Sequence, residues 1–209
     1  MTCTRPDLSY IVTILSQHLS KPNSADWTMI NHVFRYIKYT LDYCLTFRKD
    51  DELKLYAYCD ADWASSFEDR HSISGYCFSL SKNGPVISWK SRKQASIALS
   101  TCEAEYMAIS AACQEMSYLS KLLKELLQIN FEPVNLRNDN QGAIALVKNP
   151  IKHMKSKHID IRYHFVREFY QQDRILLEYL PSNDIYSDIF TKPAKKNLIQ
   201  KFKEFLFGT

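Results

Sequence analysis

Glycine is scarce. Four residues in 209 exclude a collagen-like repeat, a flexible linker chain and the glycine-rich loops that cradle nucleotide phosphates. The six cysteines include no Cys-x-x-Cys pair, so a zinc ribbon has no ligands. No apolar run approaches the ~18 residues of a membrane span, and the N-terminal stretch has no signal-peptide core. An excess of one charge is also missing: 27 Lys and Arg against 23 Asp and Glu leave +4, too little to announce nucleic acid. With 45% hydrophobic and 24% charged residues, the composition is that of a folded globular chain and not a disordered one. Cys59 and Cys77 sit in apolar stretches and read as buried, reduced thiols of an intracellular, non-secreted protein.

The charge is unevenly spread. Residues 1–52 carry six cations and six anions, residues 53–147 nine and ten, and residues 148–209 twelve and seven. Within the last segment Lys148, Lys152, Lys155, Lys157, Arg162 and Arg167 face only Asp160, with His153, His158 and His164 interleaved. Such a stripe suits a phosphate backbone, and it equally suits a solvated helix face.

Periodicity divides the chain in two. Leu8, Ile11, Val12, Leu15 and Leu19 form a helical stripe stopped at Lys21-Pro22. Ser24 is a candidate cap for a second helix whose stripe is Trp27, Ile30, Val33, Phe34, Ile37 and Leu41. Both apolar faces require something to pack on. From about residue 43 the period becomes strand-like, with strands expected at 53–60, 73–80 and 85–90 and a candidate edge strand at 43–48. A long helix over about 101–128 follows, then a strand at 134–138 and a helix at about 140–148. The chain continues with a helix at 158–172, a strand at 174–180 and a helical stretch at 184–206 broken at Pro193. The order β-β-β-α-β-α-α-β-α implies a mixed sheet with helices packed on it.

Acids stand at the strand ends. Asp60 closes one strand on the face opposite Ala57 and Cys59, and Asp139 follows another. Ligands bind at such ends in α/β sheets, although Asp139 also reads as a helix N-cap. On the long helix, Ser100 and Glu103 form a capping box that folds Glu103 back on the Ser100 amide. Glu105 has no such task and lies with Ala108, Ile109 and Ala112, where a carboxylate needs a compensating cation or hydrogen bonds. Asp188 lies beside Ile185 and Ile189, facing inward if that stretch is helical. Four oxygen donors without His or Cys suit Mg²⁺ or Mn²⁺, and two such ions support phosphodiester hydrolysis.

At these residues a resemblance emerges. Tyr-Cys-Asp-Ala-Asp-Trp-Ala (58–64), Ser-Gly-Tyr-Cys-Phe (74–78), Ile-Ser-Trp-Lys-Ser-Arg-Lys-Gln (87–94) and Ala-Leu-Ser-Thr-Cys-Glu-Ala-Glu-Tyr (98–106) resemble the RNase H domain of copia-type retrotransposon polyproteins. Asn-Asp-Asn-Gln (138–141), residues 157–168 and Asp-Ile-Phe-Thr-Lys-Pro (188–193) continue the match in order. Arg5-Pro6-Asp7-Leu8-Ser9-Tyr10 and the helices after it resemble the end of the adjoining reverse transcriptase.

The resemblance implies an RNase H-like α/β fold, a mixed five-stranded sheet with helices packed on it and a small N-terminal helical extension. It divides the chain into residues 1–48, the reverse-transcriptase remnant, and 49–209, the nuclease. It implies an acidic tetrad of Asp60, Glu105, Asp139 and Asp188 holding two Mg²⁺ or Mn²⁺ ions, with Gln141 at the minor groove of an RNA–DNA hybrid. Lys148, Lys152, Lys155, Lys157 and Arg162 would hold the duplex by its phosphates. Two features depart from the family pattern: no His precedes Asp188 in its loop, and Ser65-Ser66 replace a Gly-acid turn. The implied setting is a retroelement particle in the cytoplasm, or the nucleus, with the rest of a polyprotein as partner and no membrane. A noncatalytic, domesticated nucleic-acid-binding fragment is the competing expectation. A polymerase is the third and weakest expectation, given the missing Tyr-x-Asp-Asp motif and the short stretch before Asp60.

Overall fold

The computed structural model describes residues 3–49, 53–66, 69–149 and 157–208, with 157–160 described by backbone alone. A 3-10 turn at Pro6–Leu8 leads into α1 (Ser9–Gln17), followed by α2 (Ser24–Tyr39). Asn23, not Ser24, caps α2: its side chain accepts from the amides of Ala25 and Asp26, and Asp26 reciprocates at the Asn23 amide. Ser24 is already inside the first turn.

Five strands form one sheet: β1 (Tyr56–Asp62), β2 (Ile73–Ser79), β3 (Val86–Lys93), β4 (Val134–Asn138) and β5 (Ile175–Tyr179). Their order is β3-β2-β1-β4-β5, antiparallel across the first three and parallel from β1 through β4 to β5. The parallel pairs require crossovers, supplied by α3 (Thr101–Leu127), α4 (Gln141–Lys148) and α5 (Lys157–Gln171). The chain ends in α6 (Lys196–Phe207). This is the expected RNase H-like α/β fold with its N-terminal helical extension.

Alternation along β1 sends its side chains to two cores. Ala57, Cys59 and Ala61 pack with Ala104, Ala108, Ile109 and Ala112 of α3. Tyr58, on the opposite face, packs with Ile185, Phe190 and Phe205 beneath α6. Small residues at β1 and along α3 let helix and sheet approach closely, which brings α3 side chains to the strand ends.

Three expectations are corrected. Residues 43–48 form no strand: the Thr46 amide donates to the Phe207 carbonyl, and Tyr43 packs edge-on against Phe207, so this segment closes the end of α6. The stretch at 184–206 is not one broken helix. Two 3-10 turns, Ser182–Asp184 and Tyr186–Phe190, precede Pro193, which disfavours helical backbone at Lys192, and α-helix resumes only at Lys196. The N-terminal apolar faces are only partly covered. Leu8 is buried and Thr13 bonds the Ser91 carbonyl of β3, but Trp27, Phe34 and Leu41 are 66%, 65% and 77% exposed.

Gly75 of β2, paired with Asp60, is where the 3-10 segment meets the sheet. A β-carbon there would lie 2.7 Å from the Phe190 Cβ and 2.8 Å from the Thr191 Cγ2. Gly75→Ala is expected to destabilise the fold by about 1–3 kcal/mol through overpacking, read from urea denaturation midpoints. An unchanged midpoint would show that this approach is not tight.

Candidate active site

The topology puts two acids side by side. Parallel pairing of β1 with β4 stops at Tyr58 and Arg137, so the ends of both strands project together beyond the paired region. Asp60 does not close its strand as expected: β1 runs on to Asp62 because pairing with β2 continues, so Asp60 lies two residues inside the strand, opposite Gly75, while Asp139 directly follows β4. Glu105 enters from the packed face of α3 between buried Ala104 and Tyr106. One carboxylate oxygen from each of Asp60, Glu105 and Asp139 lies within 4.8 Å of the others.

Asp60 is 1% exposed and Glu105 5%. Burial pushes the Asp60 carboxyl above its usual range, opposed by the Lys192 charge and the Thr191 hydroxyl. Burial also pushes Glu105 up, aided by the Asp60 charge and opposed by hydrogen bonds from Asn138 and the Ala61 amide. The Asp60 Oδ1 atom is buried without any hydrogen-bond partner among the described residues. A buried carboxylate with one orphaned oxygen, clustered with two further carboxylates and with no nitrogen or sulfur donor in the set, fits a hard divalent cation such as Mg²⁺ or Mn²⁺.

Asp188 sits on the turn Tyr186–Phe190, outside this three-acid group. Its Oδ1 is 2.5 Å from the Lys192 ammonium, which is also 3.7 Å from the Asp60 Oδ2. Asp139 does not cap α4. Asn140 does so by accepting from the Ala143 amide, while Asp139 accepts from the Ser182 hydroxyl at 2.5 Å. The Glu103 side chain folds back as expected but reaches the Leu99 amide, one residue earlier than Ser100.

Three side chains of the site were not singled out from sequence. Asn138, fully buried, donates to the Glu105 Oε2 at 2.8 Å and to the Cys59 carbonyl at 3.1 Å, tying α3 to β1. Thr191 donates to the Asp60 Oδ2. Lys192 joins Asp188 to Asp60 as described. All three lie inside quoted motifs; a buried Asn beside a strand-end acid and a Thr-Lys pair after Asp188 were the available signals.

The nucleic-acid residues are dispersed. Gln141 is exposed at the first turn of α4, next to Asp139, and Lys148 is exposed at its last turn. Arg162 is half-buried and lines a cavity of about 300 Å³ with Lys90 and Arg92. Lys152, Lys155 and His153 lie outside the described residues, as do the side chains of Lys157 and His158. His164 is exposed.

Raised carboxyl pKa values in the folded state mean that the fold binds these protons more tightly than the unfolded chain. Their contribution to stability is therefore full at and below the ordinary carboxylate range near ~4 and is lost as pH rises above it. In chelator, thermal stability should fall between about pH 5 and 8 by at least ~1.4 kcal/mol, one pKa unit. Mg²⁺ should restore it, and Glu105→Gln should flatten the profile. A flat wild-type profile by circular dichroism melting would contradict costly burial.

No family model matches the chain. It is 38% identical over 204 residues to the retrovirus-related Pol polyprotein from transposon TNT 1-94 of Nicotiana tabacum, covering 98% of this chain and 15% of that one. It is 38% identical over 200 residues to the corresponding polyprotein from transposon RE2 of Arabidopsis thaliana, covering 95% and 14%. The chain thus spans about one-seventh of these relatives. It is also 47% identical over 120 residues to secreted RxLR effector protein 161 of Plasmopara viticola, covering 57% of this chain and 83% of that one. The solved N-terminal RNase H domain of rv2228c from Mycobacterium tuberculosis aligns with 71% of this chain and 99% of its own at 15% identity and a TM-score of 0.49.

Proposed function

Since the chain belongs to the Pol polyproteins of copia-type retrotransposons, we propose that it is the ribonuclease of such a polyprotein, cutting the RNA strand of RNA–DNA hybrids during reverse transcription. The observation that carries this reading is the convergence of buried Asp60 and Glu105 with half-buried Asp139, an Asp60 oxygen having no hydrogen-bond partner among the described residues. Two Mg²⁺ or Mn²⁺ ions, when bound, lower the pKa of water and offset charge on the leaving 3′-oxygen.

The chain's own residues supply position. Asp60 clusters with Glu105 and Asp139, and its Oδ2 lies 3.7 Å from the ammonium that holds Asp188, so these four acids would together hold the ions. Asn138 holds Glu105, and Thr191 fixes the rotamer of Asp60 by taking its Oδ2. Gln141, exposed two residues after Asp139, would meet the minor groove of a hybrid, where 2′-hydroxyls distinguish RNA from DNA. Lys148 and Arg162, with Lys152, Lys155 and Lys157, would contact phosphates and set register without reading bases.

The division at residue 48 belongs to the same reading. The sheet begins at β1, and of residues 1–48 only the stretch after α2, with Tyr43 and Leu45, packs on the core beneath α6, whereas α1 meets β3 and α2 leaves Trp27 and Phe34 exposed, as the tail of a preceding reverse transcriptase would. No helix among the described residues is long and apolar enough to cross a membrane. The setting proposed is a retroelement particle in the cytoplasm or the nucleus.

A second reading, a domesticated binding fragment without turnover, draws on the Plasmopara viticola effector, most of whose length matches this chain. A labelled hybrid separates the two. Wild type with Mg²⁺ is expected to cut the RNA strand only, Asp60→Asn to lose at least ~10²-fold in rate, and chelator to abolish cutting. Binding without metal-dependent cutting would favour the second reading, and equal rates for Asp60→Asn and wild type would reject the assigned chemistry.

A further inference from the structure

Asp60 has two differently occupied sides. Its Oδ1 is buried with no hydrogen-bond partner among the described residues, and one of its carboxylate oxygens lies within 4.8 Å of oxygens of Glu105 and Asp139. Its Oδ2 accepts from Thr191 and lies 3.7 Å from the Lys192 Nζ, which is 2.5 Å from Asp188. The charge of Lys192 also acts on Asp62 and Asp139. One ammonium therefore serves the acids on the Asp188 side, where a divalent ion shared by Asp60 and Asp188 would have to sit.

Resting on the nuclease reading, we propose that Lys192 is a tethered stand-in cation: it neutralises the Asp60–Asp188 side of the pocket and is displaced when a divalent ion takes that side. Hard ions bind carboxylate oxygens at about 2.0–2.1 Å, so an ion on Asp188 and an ammonium 2.5 Å from the same oxygen would repel each other strongly. Displacement is open to this side chain. It is 37% exposed, and its ammonium on a flexible four-carbon stem is readily hydrated. The anchor is stiffer than the head: Pro193 restricts the Lys192 backbone, and the Thr191 hydroxyl donates to Asp60 with the Asp188 carbonyl also within reach at 3.1 Å. Lys192 is thus a positioning residue that sets the affinity of the second ion, and the site passes from a monovalent to a divalent counter-ion without leaving two acids facing each other unscreened.

Mn²⁺ titration of the full chain by calorimetry or electron paramagnetic resonance tests this without requiring turnover. Lys192→Met should bind the weaker Mn²⁺ roughly 10- to 100-fold more tightly, the value of one charge-assisted hydrogen bond. It should also melt below wild type in chelator and regain more on adding Mg²⁺. Lys192→Arg, which keeps the charge, should stay close to wild type. Should Lys192→Met fail to fold, the wild type itself answers: acetylation of Lys192, read by mass spectrometry, should speed up when Mg²⁺ is added. Weaker or unchanged Mn²⁺ affinity in a folded Lys192→Met, or ion-independent acetylation, would overturn the stand-in role. The two failures are distinguishable: hybrid cutting with unchanged Mn²⁺ affinity removes only the lysine's role, whereas altered Mn²⁺ affinity without hybrid cutting removes only the nuclease reading.

Discussion

Buried negative charge at the end of β1 is the constraint to which the rest of this molecule answers. A carboxylate 1% exposed, beside another 5% exposed, is unfavourable unless something positive or hydrogen-bonding surrounds it. Each neighbouring feature addresses that cost. Asn138 donates to Glu105, Thr191 to Asp60, and Lys192 brings an ammonium to Asp60 and Asp188. Gly75 has no side chain, so the segment carrying Thr191 can lie directly on the sheet. Remaining unmet among the described residues is the Asp60 Oδ1, on the carboxylate that clusters with Glu105 and Asp139.

The sheet makes this concentration of acids geometrically feasible. β1 is the strand at which pairing changes from antiparallel to parallel, with β2 on one side and β4 on the other. Side chains leaving its end can meet α3 on one face and the 3-10 turns on the other, because alternate β1 residues feed two separate cores. The cores are rigid and apolar, which holds the acids together against their repulsion. The N-terminal helices contribute little to that frame. They grip β3 through Thr13 and leave large aromatic residues in solvent.

Much of this was legible from residue order. Strand β4 was delimited to the residue, and the long helix to within one, because each has a periodic apolar pattern bounded by capping or turn residues. Glu105 was separable from Glu103 by asking which acid a cap already used, and the cap does use Glu103. Errors arose where a tertiary contact replaced a local preference. Residues 43–48 have strand composition, yet their amide is taken by the end of α6. Trp27 and Phe34 have helical spacing, yet nothing in the described fold covers them.

Sequence alone determined the element order, the oxygen-only character of the donor set and the face of β1 on which Asp60 stands, because these depend on residue type and on periods of 2 and 3.6. Only the tertiary structure decided that Asp60, Glu105 and Asp139 share one point while Asp188 is held by Lys192, and that Asn138 and Thr191 orient the acids. Apart from the Asp188–Lys192 pair, which is i,i+4, those facts are distances between residues 33 to 131 positions apart along the chain. No local pattern encodes such separations; they are set by how α3, β4 and the 3-10 turns pack on a single strand end.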